Sequence, residues 1–240
     1  MATFTSKLKN RETLAEGTMG FYLTKPADFQ FKAGQYMDIT LIDPPETDAE
    51  GNIRSLSIAS APEEEQLLFA TRMRDTAFKR YLRSAPIDTE IKLEGPMGSF
   101  TLHNNPSKPA VFLAGGIGIT PFSSIIHHAA KARLSHHLYL FYSNRRPEDA
   151  AFMDVLGELE KQNPNYKFIP SMSEMAKSAR PWKGETGFIN REMLERHLPA
   201  LQGPIYYVAG PPAMVTAMRQ MLSAAGVDED DIRTEEFAGY

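Results

Sequence analysis

The sequence predicts two domains of different class, a small antiparallel β-barrel followed by an α/β unit built on a parallel sheet. Three observations predict it. Residues 1–106 read as short β segments separated by proline and glycine, whereas from residue 107 onward apolar runs of strand length alternate with helical stretches. Between the two styles stands Asn104-Asn105-Pro106-Ser107, a cluster of turn-forming residues, so the expected domains are 1–106 and 107–240. With 240 residues and a hydrophobic share of 42%, the chain has enough apolar material for two ordinary cores.

In the first domain the segments 18–23, 36–42, 54–59, 67–72, 90–94 and 98–102 have strand length and are rich in aromatic or β-branched residues. A helical segment at 78–83 lies between them. Short strands with one helix inserted fit a barrel with Greek-key connections. The acidic, proline-containing stretch 43–52 is expected to be a mobile surface loop. In the second domain, apolar runs at 111–114, 138–142, 166–170 and 206–209 alternate with helical stretches starting at Pro121, at 150–162 and at 213–225. That alternation predicts a Rossmann-like parallel sheet with helices on both faces.

Composition removes several classes of function. The net charge of −4 comes from well-mixed Lys, Arg, Asp and Glu, so no basic face points to nucleic acid or to anionic lipid. Residues 1–10 lack the apolar core of a signal peptide, and no run approaches bilayer length; no membrane insertion and a cytoplasmic location are the expectations. There are no cysteines, which excludes disulfides, thiolate zinc and cysteine-ligated iron–sulfur clusters within this chain. Redox chemistry here would need a bound organic cofactor. The histidine pairs His127-His128 and His136-His137 place neighbours on different faces, so no metal site is expected.

The densest signal is Val111 to Leu113 followed by Ala114, Gly115, Gly116, Ile117, Gly118, Ile119, Thr120 and Pro121. An apolar strand breaks into glycines and re-enters a helix, which suits a phosphate because glycine admits close backbone approach and the helix start offers free N–H groups. Thr120 is expected as the N-cap and Pro121 as the first helical residue. The spacing replaces the third glycine of the dinucleotide fingerprint by proline, and an ordinary strand-to-helix turn is the competing explanation. Ligands of such sheets bind at the carboxyl ends of the strands, here Gly115 to Thr120, Tyr142 to Arg146 and Gly210 to Pro212.

Taken in order, Arg54-Ser55-Leu56-Ser57, Gly95-Pro96-Met97-Gly98-Ser99-Phe100, the Gly115 to Pro121 turn, Tyr207-Val208-Ala209-Gly210-Pro211-Pro212 and Glu235-Glu236-Phe237 resemble the ferredoxin-NADP reductase superfamily. The resemblance covers essentially the whole chain. It implies a reductase without an iron–sulfur domain that binds FAD on the barrel and NADH or NADPH on the α/β domain. Arg54 would grip the flavin diphosphate, and Gly98 and Ser99 would cradle it. Ser57 would hydrogen-bond near flavin N5, while Ser55 and Leu56 share its strand. Leu56 stands where the family usually has a tyrosine, so it would cover the ring by apolar contact alone.

Thr71 and Arg72 lead into the barrel helix, whose start would support the same diphosphate together with Lys79 and Arg80. Ser143, Asn144 and Arg145 end the second strand of the α/β domain, and Gly116, Gly118, Thr120, Pro121, Ala209, Gly210 and Pro211 line the other two ends. Ala209 replaces a cysteine common among relatives, which leaves positioning to do the catalysis. An aromatic near the C-terminus, Phe237 or Tyr240, would cover the flavin and move aside for nicotinamide.

The arginines after Asn144 favour a 2′-phosphate, but Ser173-Glu174 would repel one, so the choice between NADH and NADPH stays open. The implied activity passes electrons from NAD(P)H through FAD to an external acceptor, a ferredoxin, a flavodoxin or an oxygenase component. A flavin reductase using flavin as substrate and a nonenzymatic nucleotide-binding module are the alternatives. Met214, Met218 and Met221 have the spacing of a buried helix face, and the basic segment around Trp182 is expected as a loop beside the nucleotide cleft.

Overall fold

The computed structural model describes residues 2–237. Its first sheet contains β1 (Ala2–Ala15), β2 (Thr18–Thr24), β3 (Tyr36–Leu41), β4 (Ile53–Ser57), β5 (Gln66–Arg72) and β6 (Glu90–Met97), with α1 (Ala77–Ser84) between β5 and β6. The strand order is β4-β3-β6-β1-β2-β5 and all pairings are antiparallel. Beyond the ends of this order Ile58 bridges Phe69, and the Ala59 N–H donates to the Leu68 carbonyl at 2.7 Å. These bonds close the sheet into a barrel and leave no long edge open. Period-two alternation fills it: on β6, Ile91 and Leu93 face the core while Lys92 and Glu94 pair outside at 2.9 Å.

Two departures from the sequence reading concern this half. β1 was not expected, because its polar run buries few apolar side chains, Leu8 among them; pairing to both β2 and β6 holds it in place. Segment 98–102 is not a strand. Gly98 takes φ +94° and the Thr101 N–H donates to the Ser99 carbonyl at 2.8 Å, so the chain turns there.

The second sheet contains β7 (Ala110–Gly115), β8 (Leu138–Asn144), β9 (Tyr166–Met172), β10 (Glu185–Thr186), β11 (Ile205–Gly210) and β12 (Ile232–Glu236). Its order is β10-β9-β8-β7-β11-β12, parallel throughout. Alternate residues of each central strand feed opposite cores. Phe112, Leu140 and Tyr207 pack with α2 (Ile119–Lys131) and α3 (Met153–Gln162), whereas Leu113, Phe141 and Val208 pack with α4 (Arg191–His197) and α5 (Pro212–Ala224). Met218 is buried on α5, and Met214 and Met221 pack partly against the same cluster. The short elements β10, α4 and β12 carry too few residues to produce a periodic signal.

The halves share a core. Ala59, Leu68, Ala70 and Phe100 join Phe122, Ile125 and Ile126 of α2 in one apolar cluster, and Ser124 Oγ donates to the Ser60 carbonyl at 2.6 Å. A second tie runs from the Glu16 N–H to the Glu148 carbonyl at 2.8 Å, with Arg146 spanning Glu16 and Asp149 at 2.9 Å each. Trp182 lines a cleft between the halves with Leu14, Tyr22 and Phe152. Among the described residues no helix is long and apolar enough to cross a membrane, and no group of three or more His, Cys, Asp or Glu is placed to hold a metal ion.

Candidate functional site

Strand order reverses between β7 and β11, and the crevice above that point is where a ligand of a parallel sheet is held. A cavity of about 320 Å³ opens there, lined by Gly115, Gly116 and Ile117, by Pro211 and Phe237, by Arg145 and by Arg72 from the barrel. Both halves therefore build it.

The glycines do different work. Gly116 takes φ +53° and a Cβ there would meet nothing within 4 Å, so its freedom serves the turn and its open face looks into space. Gly118 has ordinary φ, but a Cβ would stand 2.3 Å from the Ala209 carbonyl oxygen; it is glycine because α2 starts hard against β11. Residues Gly116–Gly118 form one turn of 3₁₀-helix, and Gly118 is the N-cap of α2. This corrects the expected capping: Thr120 and Pro121 lie buried inside the first turn, and the Thr120 hydroxyl donates to the Ile117 carbonyl at 3.1 Å. Glycine-rich turns tighten before the α-helix proper, which moved the boundary forward.

At the second strand end, Ser143 pairs across from Gly115, and Asn144 is buried with its Nδ2 lacking a partner. Arg145 reaches the cavity with its side chain 54% exposed and lies 3.6 Å from the Asp149 carboxylate, while Arg146 is engaged more closely by Glu16 and Asp149. Its guanidinium holds the Asp149 carboxyl below the usual carboxylate range. Glu174 pairs with Lys177 at 2.7 Å. Ala209 is fully buried, the Gly210 carbonyl accepts from the Phe237 N–H at 2.9 Å, and Pro211 precedes α5. Phe237 is thereby drawn into the cavity wall; Tyr240 lies outside the described residues.

Glu235 went unassigned in the sequence reading. It sits on β12 directly across from Ala209, its Oε2 is buried without a partner, and burial raises its carboxyl to about 7. Such a group holds or yields a proton near neutrality. Only the pairing of β12 with β11 brings it there, and the short β12 gave no signal.

On the barrel, Ser57 is buried, and Ser55 is exposed with its hydroxyl donating to Asp38. Leu56 does not stand free to cover a ring. It is 4% exposed and belongs to the barrel core with Met37, its partner across β3, because a leucine lacks the polar tip that keeps a tyrosine at the surface. Gly98 and Ser99 are exposed, and the Gly98 carbonyl accepts from Gln35 at 3.1 Å. Thr71 is buried, its hydroxyl donating to the Arg72 carbonyl at 3.4 Å.

Arg54 is already engaged. Its guanidinium donates to the carbonyls of Glu50 and Ile53 at 2.8 and 2.7 Å, pairs with the Glu50 carboxylate at 3.0 Å, and lies 5.0 Å from the centre of the Phe78 ring. Lys79 is buried beside it, its Nζ donating to the Arg72 carbonyl at 2.8 Å; burial first, then Arg74 and Arg54, lower its ammonium to about 8. Arg80 pairs with Glu46 and Asp75.

A barrel whose strand β5 ends in Arg72 beside a glycine turn at the switch point of a parallel sheet has the architecture of a two-domain nucleotide-binding protein. Residues 112–220 match the family of oxidoreductase NAD-binding domains. The chain is 31% identical over 216 residues to the reductase component of propane 2-monooxygenase from Mycolicibacterium smegmatis, covering 89% of this chain and 61% of that protein. It is 27% identical over 230 residues to the glycine betaine monooxygenase reductase subunit of Chromohalobacter salexigens, covering 95% and 61%. It thus spans about three fifths of these relatives' length. Among solved structures, a ferredoxin NADP+ reductase from Neisseria gonorrhoeae with bound FAD and NADP superposes with TM-score 0.80 at 22% identity, over 98% of each chain. The chain has the two-domain fold of that reductase, and its α/β half is similar to oxidoreductase NAD-binding domains.

Proposed function

We propose that this chain is a flavin-dependent NAD(P)H oxidoreductase that binds FAD on residues 1–106 and NADH or NADPH on residues 107–240. In this reading it delivers electrons in the cytoplasm to a protein acceptor of the ferredoxin, flavodoxin or oxygenase-component class. The observation that carries it is the cavity at the switch point, to which the barrel contributes Arg72 and the α/β half contributes Gly116, Pro211, Arg145 and Phe237. Relatives named as reductase components of monooxygenases support the acceptor class.

The residues present fit the two cofactors. The open face of Gly116 suits a phosphate-bearing chain, the exposed turn at Gly98 and Ser99 offers N–H groups, and cations gather around the start of α1. Flavin, when bound, supplies the conversion of a two-electron hydride into single electrons. Arg54 and Ser99 bind its diphosphate, and the Ser57 hydroxyl and the Thr71 strand orient its ring. Gly116, Gly118, Gly210 and Pro211 shape the floor on which nicotinamide lies, with the small Ala209 letting the two rings approach. Arg145, with Ser143 and Asn144 behind it, holds the nucleotide's phosphates. Phe237 excludes water from the cavity until nicotinamide displaces it. Glu235 holds a proton close to the reacting face.

A visible spectrum of the purified protein, followed by anaerobic titration with NADH and NADPH separately, tests this. Flavin absorbance that bleaches with one of them is expected. A colourless protein that neither FAD nor FMN reconstitutes would overturn it. The engagement of Arg54 by Glu50 favours a second reading, in which flavin is held loosely and exchanged as a substrate. That reading predicts little flavin after purification but turnover when flavin is added.

A further inference from the structure

The loop between β3 and β4 was expected to be a mobile connection, yet its acids are individually placed. Glu46 accepts from Arg80 through both carboxylate oxygens at 2.9 Å each. Asp48 Oδ2 accepts from the Ala77 N–H at 2.6 Å, so its carboxylate sits on the free N–H end of α1. Glu50 Oε2 faces Arg54 at 3.0 Å and Arg74 at 3.5 Å. The loop is folded on itself to do this: Asp48 Oδ1 accepts from the Glu50 N–H at 2.9 Å and the Gly51 N–H donates to the Asp48 carbonyl at 3.0 Å. One segment thus sets carboxylates on the cations and N–H groups that surround the first turn of α1.

Those are the groups the proposed function assigns to the flavin diphosphate, and this inference rests on that reading. Arg54, Arg74 and Lys79 approach closely enough that the two arginines depress the lysine. A concentration of like charge of this kind is tolerated only with counter-charge. Glu50 and Asp48 together bring two negative charges and occupy both classes of donor, guanidinium and helix N–H. A dinucleotide's diphosphate brings the same charge to the same donors. Both cannot be satisfied at once, because Arg54 NH1 and NH2 are committed to the loop's carbonyls and to Glu50.

We propose that the segment 43–52 is a carboxylate latch: Asp48 and Glu50 stand in for the flavin diphosphate on α1 and Arg54, and flavin binding exchanges them for its own phosphates, releasing the loop. Closed, the latch keeps the cation cluster neutralised. Its cost is borne by affinity, since every flavin that binds must first displace Glu50 from Arg54 and Asp48 from the Ala77 N–H.

The test titrates FAD into flavin-stripped full-length protein by flavin fluorescence, comparing the natural chain with Asp48→Asn/Glu50→Gln and with Arg54→Ala. The double variant is expected to bind FAD about tenfold more tightly, equivalent to about 1.4 kcal/mol. Arg54→Ala is expected to bind more weakly. In the natural chain, cleavage by a glutamate-specific protease after Glu46 and Glu50 is expected to accelerate when FAD is added. Unchanged or weaker binding by the double variant, with Arg54→Ala still impaired, overturns the latch and leaves the diphosphate reading intact. Full FAD affinity in Arg54→Ala overturns both. Loop cleavage slowed by FAD also overturns the latch, whatever the folding of the variants.

Discussion

The two halves present anions with opposite arrangements. On the barrel the candidate groups are charged side chains, and Arg54, Arg74 and Arg80 are each met by a carboxylate of the same chain. At the strand ends of the α/β half the backbone turn is open: Gly116 faces open space, while Arg145, half exposed at the cavity wall, lies 3.6 Å from Asp149, which Arg146 also engages. Long cationic side chains need counter-charge to be stored close together, whereas N–H groups at a glycine turn carry only partial charge and wait at little cost. The difference predicts unequal sensitivity to substitution.

The largest effect is expected on the backbone side. Gly118→Ala drives a Cβ to 2.3 Å from the Ala209 carbonyl, where neither strand nor helix start can yield. It should destabilise the chain by about 3 kcal/mol or more and lower Tm by many degrees. Gly116→Ala, with open space but positive φ, should cost only about 1 kcal/mol, so thermal melts of the pair separate packing from conformation. Equal losses would mean that the turn, not its contact with β11, requires glycine.

On the barrel side, Arg54→Ala should weaken flavin retention by about ten- to a hundredfold, the loss of a charge-assisted hydrogen-bond pair, measured by absorbance after gel filtration. Phe237→Ala should tighten nicotinamide nucleotide binding by about three- to tenfold and leave flavin content nearly unchanged, because the ring no longer has to be displaced.

The smallest effect concerns pH. The Glu235 carboxyl is raised from 4.5 to about 7, so its neutral form is favoured by folding. Its contribution is fully present below pH 4.5 and is lost as pH rises through about 7. Between pH 5 and pH 8 the natural chain should lose about 1 kcal/mol on this account, allowing for partial solvent access, and Glu235→Gln should flatten that slope in melts across the range.

The architecture was legible because both periodicities are strong: alternation on β6 and the apolar runs of β7, β8 and β11 follow directly from which faces are buried. β1 was not, since a polar strand is held by its neighbours' hydrogen bonds, which leave no trace in its own residues. The site divided similarly. Gly116, Arg72 and Phe237 line one cavity, although Arg72 was expected near the barrel helix rather than there. Leu56 turned inward because its strand neighbour Met37 offers it an apolar berth. Glu235 and the acids at 46, 48 and 50 acquire meaning only from partners distant in sequence, Ala209 across a strand pair and α1 across a loop.

The seam between barrel and parallel sheet is a shared apolar cluster beside an open cleft, fastened a second time by Arg146 to Glu16. A shared core of this kind opposes relative movement of the two halves. On the proposed reading, the gap between flavin and nicotinamide is therefore set by the scaffold, and Phe237 at the cavity wall, rather than movement of either body, controls entry to it.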